Sequence, residues 1–235
     1  MAAERDVSLR TRGEPTRDKL LPPRAEMFAL NEIKQHFDES IESLSAQFDL
    51  AEDLISQGKQ ENACDIWRSQ LVFLDGALDF YIHELSKYGI LKMFNGEWEK
   101  TQKYQNLTMT MSTVETGLRS PESCQWLADY LDSALGKDTY MSFITVKDQM
   151  NLLGLDLKEI ADEAFCVQGS RDNTKDQMKD WLNRLFFRRN RIVHQSDRES
   201  RDAQRAPVER ADVQAFVDQI QKIVEAIQNC AARKA

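Results

Sequence analysis

Apolar residues recur at spacings of three and four along most of the chain, which is the period of one face of a helix. Ile33, Phe37, Ile41, Leu44, Phe48, Ala51 and Ile55 form one such stripe, and Gly58 predicts its end. A second stripe begins near Gln60 with Trp67, Leu71, Leu74, Leu78, Tyr81 and Leu85, and its short link to the first predicts an antiparallel pair of long helices. Beyond Gly89 and Gly96 the period weakens into a polar, Thr- and Met-rich stretch over 101–116, readable as a helix with a loop or as an insertion over about 92–118.

The period then returns in shorter pieces. Ser120 and Pro121 read as the start of a helix holding Trp126, Leu127, Tyr130 and Leu131 and ending near Gly136. Further helices are predicted over 140–153 and 157–167, then a loop over Gly169–Asn173 and a helix from Thr174. A last helix after Pro207 carries Val213, Phe216, Val217, Ile220, Val224 and Ile227 on one face. No run alternates with period two and no segment repeats, so the expected architecture is all-α, an antiparallel helical bundle. Residues 1–24 mix charges with Gly13, Pro15, Pro22 and Pro23 and read as a flexible tail ahead of one helical domain over 25–235.

Composition narrows the class. With 41% hydrophobic and 30% charged residues in 235, the chain is long enough to bury one core, and no apolar run approaches the length of a membrane span. The absence of a secretory stretch gives a cytoplasmic expectation. Cys64, Cys124, Cys166 and Cys230 are scattered without a Cys-x-x-Cys pair, so reduced, mostly packed thiols are expected rather than a zinc cage or disulfides. A net charge of −8 argues against a surface that coats nucleic acid throughout; any such contact has to be local.

The positive charge is indeed concentrated. Arg184, Arg188, Arg189, Arg191 and Arg198 fall within the stretch from Trp181 to Arg198, against Asp197 as its one acid, which is expected either to accept from an arginine or to cap the helix that follows. Guanidinium groups suit phosphate because their planar fork donates paired hydrogen bonds and keeps its proton. His194 adds a group that takes and returns a proton near neutrality. The same string also reads as a solvated helix face with a structural histidine, and composition alone leaves both readings open. No Gly-rich phosphate loop, His-Glu-x-x-His or nucleophile elbow is present, so P-loop, zinc-hydrolase and serine-hydrolase chemistries are not indicated.

Arg189-Asn190-Arg191-Ile192-Val193-His194 resembles the Arg-x-x-x-x-His signature of HEPN ribonucleases, including the Asn directly after the Arg. The longer form from Arg188 to Asp197 is similar to a HEPN subfamily found beside restriction and other defence loci. The likeness runs from about Ala25 onward, with Leu74–Tyr81 in the second helix and the closing amphipathic helix; the stretch from Lys92 to Leu118 carries no part of it.

The resemblance implies a metal-independent endoribonuclease acting through the 2′-hydroxyl, without cofactor, as a toxin or antiviral effector. It implies catalytic roles for Arg189, His194 and Asn190, and a homodimer whose motifs meet at a twofold axis. Arg188, Arg191 and Arg184 are the expected substrate-binding arginines, and Asp75 and Asp79 are candidate orienting acids. RNA is the expected partner, with a regulatory or antitoxin protein as a further one. The alternative is a non-catalytic HEPN module that binds nucleotide, RNA or protein within a larger complex. Helix geometry adds a constraint: positions five apart are rotated by about 140°, so the helix is expected to end or bend near His194. His36 and His83 are expected at the surface or an interface.

Overall fold

The computed structural model describes residues 27–119, 123–166, 173–198 and 203–234. The expected tail, the Ser120–Pro121 helix start and most of the 169–173 loop lie outside these residues. The described chain is all-α; its only β feature is an isolated antiparallel bridge between Arg198 and Arg205.

The first apolar stripe is carried by two helices rather than one, α1 (Leu30–Ser45) and α2 (Gln47–Ser56), which part at Ala46. The stripe persists across the break, with Ile33, Phe37, Ile41 and Leu44 buried on α1 and Phe48 and Ala51 on α2. Periodicity reports which side is buried and does not register a break that keeps the same side inward. Gly58, at φ 74°, closes this segment as expected.

Helix α3 (Gln60–Phe94) is the axis of the molecule. Its 35 residues extend about 50 Å, continuing through Gly89, and from Tyr81 to Met93 nearly every side is covered. α1 crosses it antiparallel, with Phe37 against Tyr81 and the Gln70 amide donating to Leu44 O at 2.9 Å.

The segment after α3 turns at Gly96 and returns Trp98 to the core, edge-on to Tyr88. A single turn, α4 (Gln102–Gln105), is capped by Thr101, whose hydroxyl also donates to Leu152 O. α5 (Met111–Arg119) buries no residue and leaves Met111 and Leu118 open. α6 (Gln125–Leu135) is tied to α3 by Lys87, which meets Asp132 at 2.5 Å and Glu84 at 2.8 Å. α7 (Phe143–Leu153) runs alongside α3, Ser86 bonding Gln149 at 3.1 Å, and α8 (Leu157–Phe165) follows.

The last two helices complete the core. α9 (Thr174–Gln195) lies antiparallel to α3, since Arg189 meets Asp75 whereas Asp197, just beyond the helix, meets Arg68. α10 (Arg210–Lys234) runs parallel to α3, with the Cys64 thiol against Val208 O and Tyr81 donating to Gln228. Its other face holds α8 through Arg233 with Glu159 and Glu163. The four cysteines are free; Cys230 is buried and Cys166 exposed.

Candidate functional site on the last turns of α9

α9 starts at Asn173, whose side chain accepts from Lys175 N, and buries Met178, Leu182 and Leu185. Arg189 continues this inward stripe at the next helical repeat, so the fold turns its side chain towards α3. There its Nε lies 3.2 Å from Oδ2 of Asp75, a carboxyl with no solvent exposure. The pair is an ion pair by distance only: the N–H is not aimed at the oxygen, and neither group has another hydrogen bond through these atoms. The far end of Arg189 donates from Nη1 to Asn190 Oδ1 at 3.0 Å.

Burial pushes the Asp75 carboxyl up to about 7; Arg189 pulls the other way, and Asp79 raises it further by like-charge repulsion. A carboxyl that titrates there cancels the Arg189 charge only in part near neutrality.

His194 stands in the last turn of α9, exposed. The helix ends one residue later, at Gln195, with Ser196 and Asp197 both left-handed (φ 51° and 57°), which agrees with the expected end near the histidine. His194 and Phe187 are seven apart and share the outer face, where Phe187 is 65% exposed. Arg189 and His194 thus point to different sides of one helix, and a single chain does not bring them to one point.

The other expected residues separate. Arg188 is drawn inward: its Nη2 donates to Asp197 Oδ2 at 2.7 Å and Pro207 O at 2.8 Å, and burial lowers its pKa. Arg191 donates from Nε to Asp197 Oδ1 at 3.1 Å and stays about one-third exposed. Arg184 is exposed and lies over Trp181, 4.8 Å from the ring centroid, and over Phe216 at 5.4 Å. Asp79 accepts from Tyr140 N at 2.5 Å and faces His83 at 3.6 Å, so it is placed beside a different histidine from His194. His83 is half-buried under Tyr140, and His36 packs edge-on to Phe28.

Asp197, expected to accept from an arginine or to cap the following helix, does the first for three of them; Arg68, Asp65 and Arg205 are the members that sequence reasoning missed. Asp197 is fully buried and receives Arg68 Nε at 2.9 Å as well as Arg188 and Arg191. Arg68 also reaches Asp65 and Ala206 O, and Arg205 joins at Asp65. A signal existed: Asp65, Arg68, Asp75 and Asp79 recur at spacings of three, seven and four on α3, a charged stripe along one side of the helix.

Among the described residues no group of three or more His, Cys, Asp or Glu side chains is placed to hold a metal ion, and no helix is long and apolar enough to cross a membrane. Compared with known proteins, the chain matches no protein-family model, no curated protein and no solved structure.

Proposed function

We propose that the chain is a HEPN-type endoribonuclease that cleaves RNA without a metal, with Arg189 and His194 as its reacting pair. The observation that carries this reading is the last turns of α9. A buried carboxyl stands 3.2 Å behind Arg189 without an aligned hydrogen bond to it, and a histidine stands exposed where the helix stops. The reaction joins the 2′-oxygen to phosphorus and breaks the bond to the 5′-oxygen, leaving a 2′,3′-cyclic phosphate and a 5′-hydroxyl. Arg189 offsets charge building on the phosphorane. One histidine accepts the 2′-hydroxyl proton and another donates to the departing oxygen.

Because Arg189 and His194 diverge within one chain, the working form is a twofold dimer whose composite cleft holds both pairs. The HEPN-like bundle, the cytoplasmic setting, a toxin or antiviral role and a restraining partner protein belong to the same proposal. Asn190 anchors the outer end of Arg189, a positioning role beside the chemistry.

Labelled RNA incubated with the protein in chelator tests this directly. Arg189→Ala and His194→Ala are each expected to lower cleavage at least about 100-fold in a folded protein, with chelator without effect. Full activity of His194→Ala would overturn the assignment. A second reading, a non-catalytic HEPN binding module, is favoured by one feature: Arg189 already has a partner inside the bundle. RNA bound but left intact by the wild type would establish that reading instead.

A further inference from the structure

Asp65 and Asp197 are shared among four arginines, Arg68, Arg188, Arg191 and Arg205, in one continuous network. Among the described residues, four guanidiniums are ion-paired here to two carboxylates, with Asp212 acting on Arg188 from further off, so positive charge predominates. The members differ in what they have left to offer. Arg68 spends Nε on Asp197, Nη1 on Asp65 and Nη2 on Ala206 O, and only 7% of its side chain is exposed. Arg188 makes its bonds through Nη2 alone, to Asp197, Ala206 O and Pro207 O, and only 16% of its side chain is exposed.

Arg191 and Arg205 are each held by one end, through Nε and Nη1 respectively, and about a third of each side chain meets solvent. Their other N–H groups carry no partner among the described residues. Arg198, paired to Arg205 through the backbone bridge, adds a further cation on the same side.

The geometry points to this network as a binding site for the phosphates of a polynucleotide backbone, met by Arg191 and Arg205, with Arg68 and Arg188 as its inner support. The inference rests on the ribonuclease reading for its biological ligand but not for its chemistry. Arg191 is fixed by the buried Asp197 and Arg205 by Asp65, itself held by Arg68, so both lose less side-chain freedom on meeting a phosphate than arginines on an open helix face. The network also moves Arg188 from the expected set of phosphate contacts to the scaffold, and brings Arg205 into that set.

The test uses the full chain carrying His194→Ala, so that RNA survives, and a short fluorescent oligoribonucleotide titrated over a range of salt concentrations. Each lost phosphate contact reduces the slope of log K against log salt by about 0.7 for a single strand. Arg191→Gln and Arg205→Gln are each expected to reduce it by about that amount, whereas Arg191→Lys, which keeps the charge, retains most of it. Arg188→Gln is expected to lower the melting temperature and leave the slope unchanged.

A DNA strand of the same length separates the two ideas, because it offers the same phosphates without the 2′-hydroxyl. If both strands bind with slopes that respond to Arg191 and Arg205 while the wild type cuts neither, the network stands and the ribonuclease reading falls. If the wild type cuts RNA but the slopes ignore both arginines, the network is overturned and the ribonuclease reading stands. Failure to bind either strand overturns the network, and cleavage by the wild type then decides the ribonuclease reading by itself.

Discussion

Asp75 sits in the wall between α3 and α9 with no solvent and no aligned donor, and its carboxyl is pushed up to about 7. An acid whose pKa is higher in the folded chain than in the unfolded one binds protons more tightly when folded. Its contribution to stability is therefore full below the ordinary carboxylate value of about 4 and is lost as the pH rises towards 7. Asp75→Asn keeps the shape and cannot ionise, so its stability should gain on the wild type between about pH 4 and 7. Urea unfolding across this range measures the gain, and parallel curves for the two proteins would refute it. Phe187 is the other telling residue here: a large apolar side chain left open beside His194 on the outer face of α9. In the proposed dimer this face is covered, so Phe187→Asp is expected to shift the protein from dimer to monomer at micromolar concentration by light scattering. A wild type that is already monomeric there would remove the twofold site.

Among the elements, α3 shows how one helix meets different demands along its length. Its first half meets α9 and the turn beyond it through Asp75 with Arg189 and Arg68 with Asp197, while from Tyr81 to Met93 nearly every residue is covered. Two of its glycines report the difference. A Cβ on Gly89 would lie 2.5 Å from Leu153 Cδ2 and 2.8 Å from Trp98 Cζ3, both in buried side chains; at Gly76 nothing lies within 4 Å. Gly76→Ala should thus stabilise the protein by about 0.5–1 kcal/mol through helix propensity. At Gly89 the same gain is opposed by overpacking of about 1–3 kcal/mol, and a net loss of about 1 kcal/mol is expected. Denaturant melts of the two variants should move in opposite directions, and equal shifts would contradict the close α3–α7 approach.

Across the whole molecule, Asp197 ties the end of α9, through Arg188 and Arg191, and the approach to α10, through its backbone bond with Ala206, to the remote α3 through Arg68. Removing a buried partner leaves uncompensated charge, which costs about 3–5 kcal/mol for well-buried pairs. Asp197→Ala is expected to fall in that range by urea unfolding, because Arg68 and Arg188 have little access to water. A change below about 1 kcal/mol would mean the network is peripheral to folding. The same variant frees Arg191 from its anchor, so the proposed phosphate binding is expected to weaken along with stability.

The order and placement of most helices were legible in the sequence because burial on one side imposes its period on the residues, wherever that side eventually packs. Ile33 to Leu44, Trp67 to Leu85 and Val213 to Ile227 all bury the face their spacing indicates. The break at Ala46 left no trace, since both pieces keep the same inward side. Gly89 suggested a fading helix, but packing against Leu153 and Trp98 sustains it to Phe94. At the site, the residue types of the Arg189–His194 string and the end of its helix could be read from one segment. Which arginine turns inward could not. Arg188, Arg189 and Arg191 differ in role because Asp197 and Asp75 reach them across the α3–α9 contact and just beyond the end of α9, and ion pairing at such a contact depends on distances that no local spacing encodes.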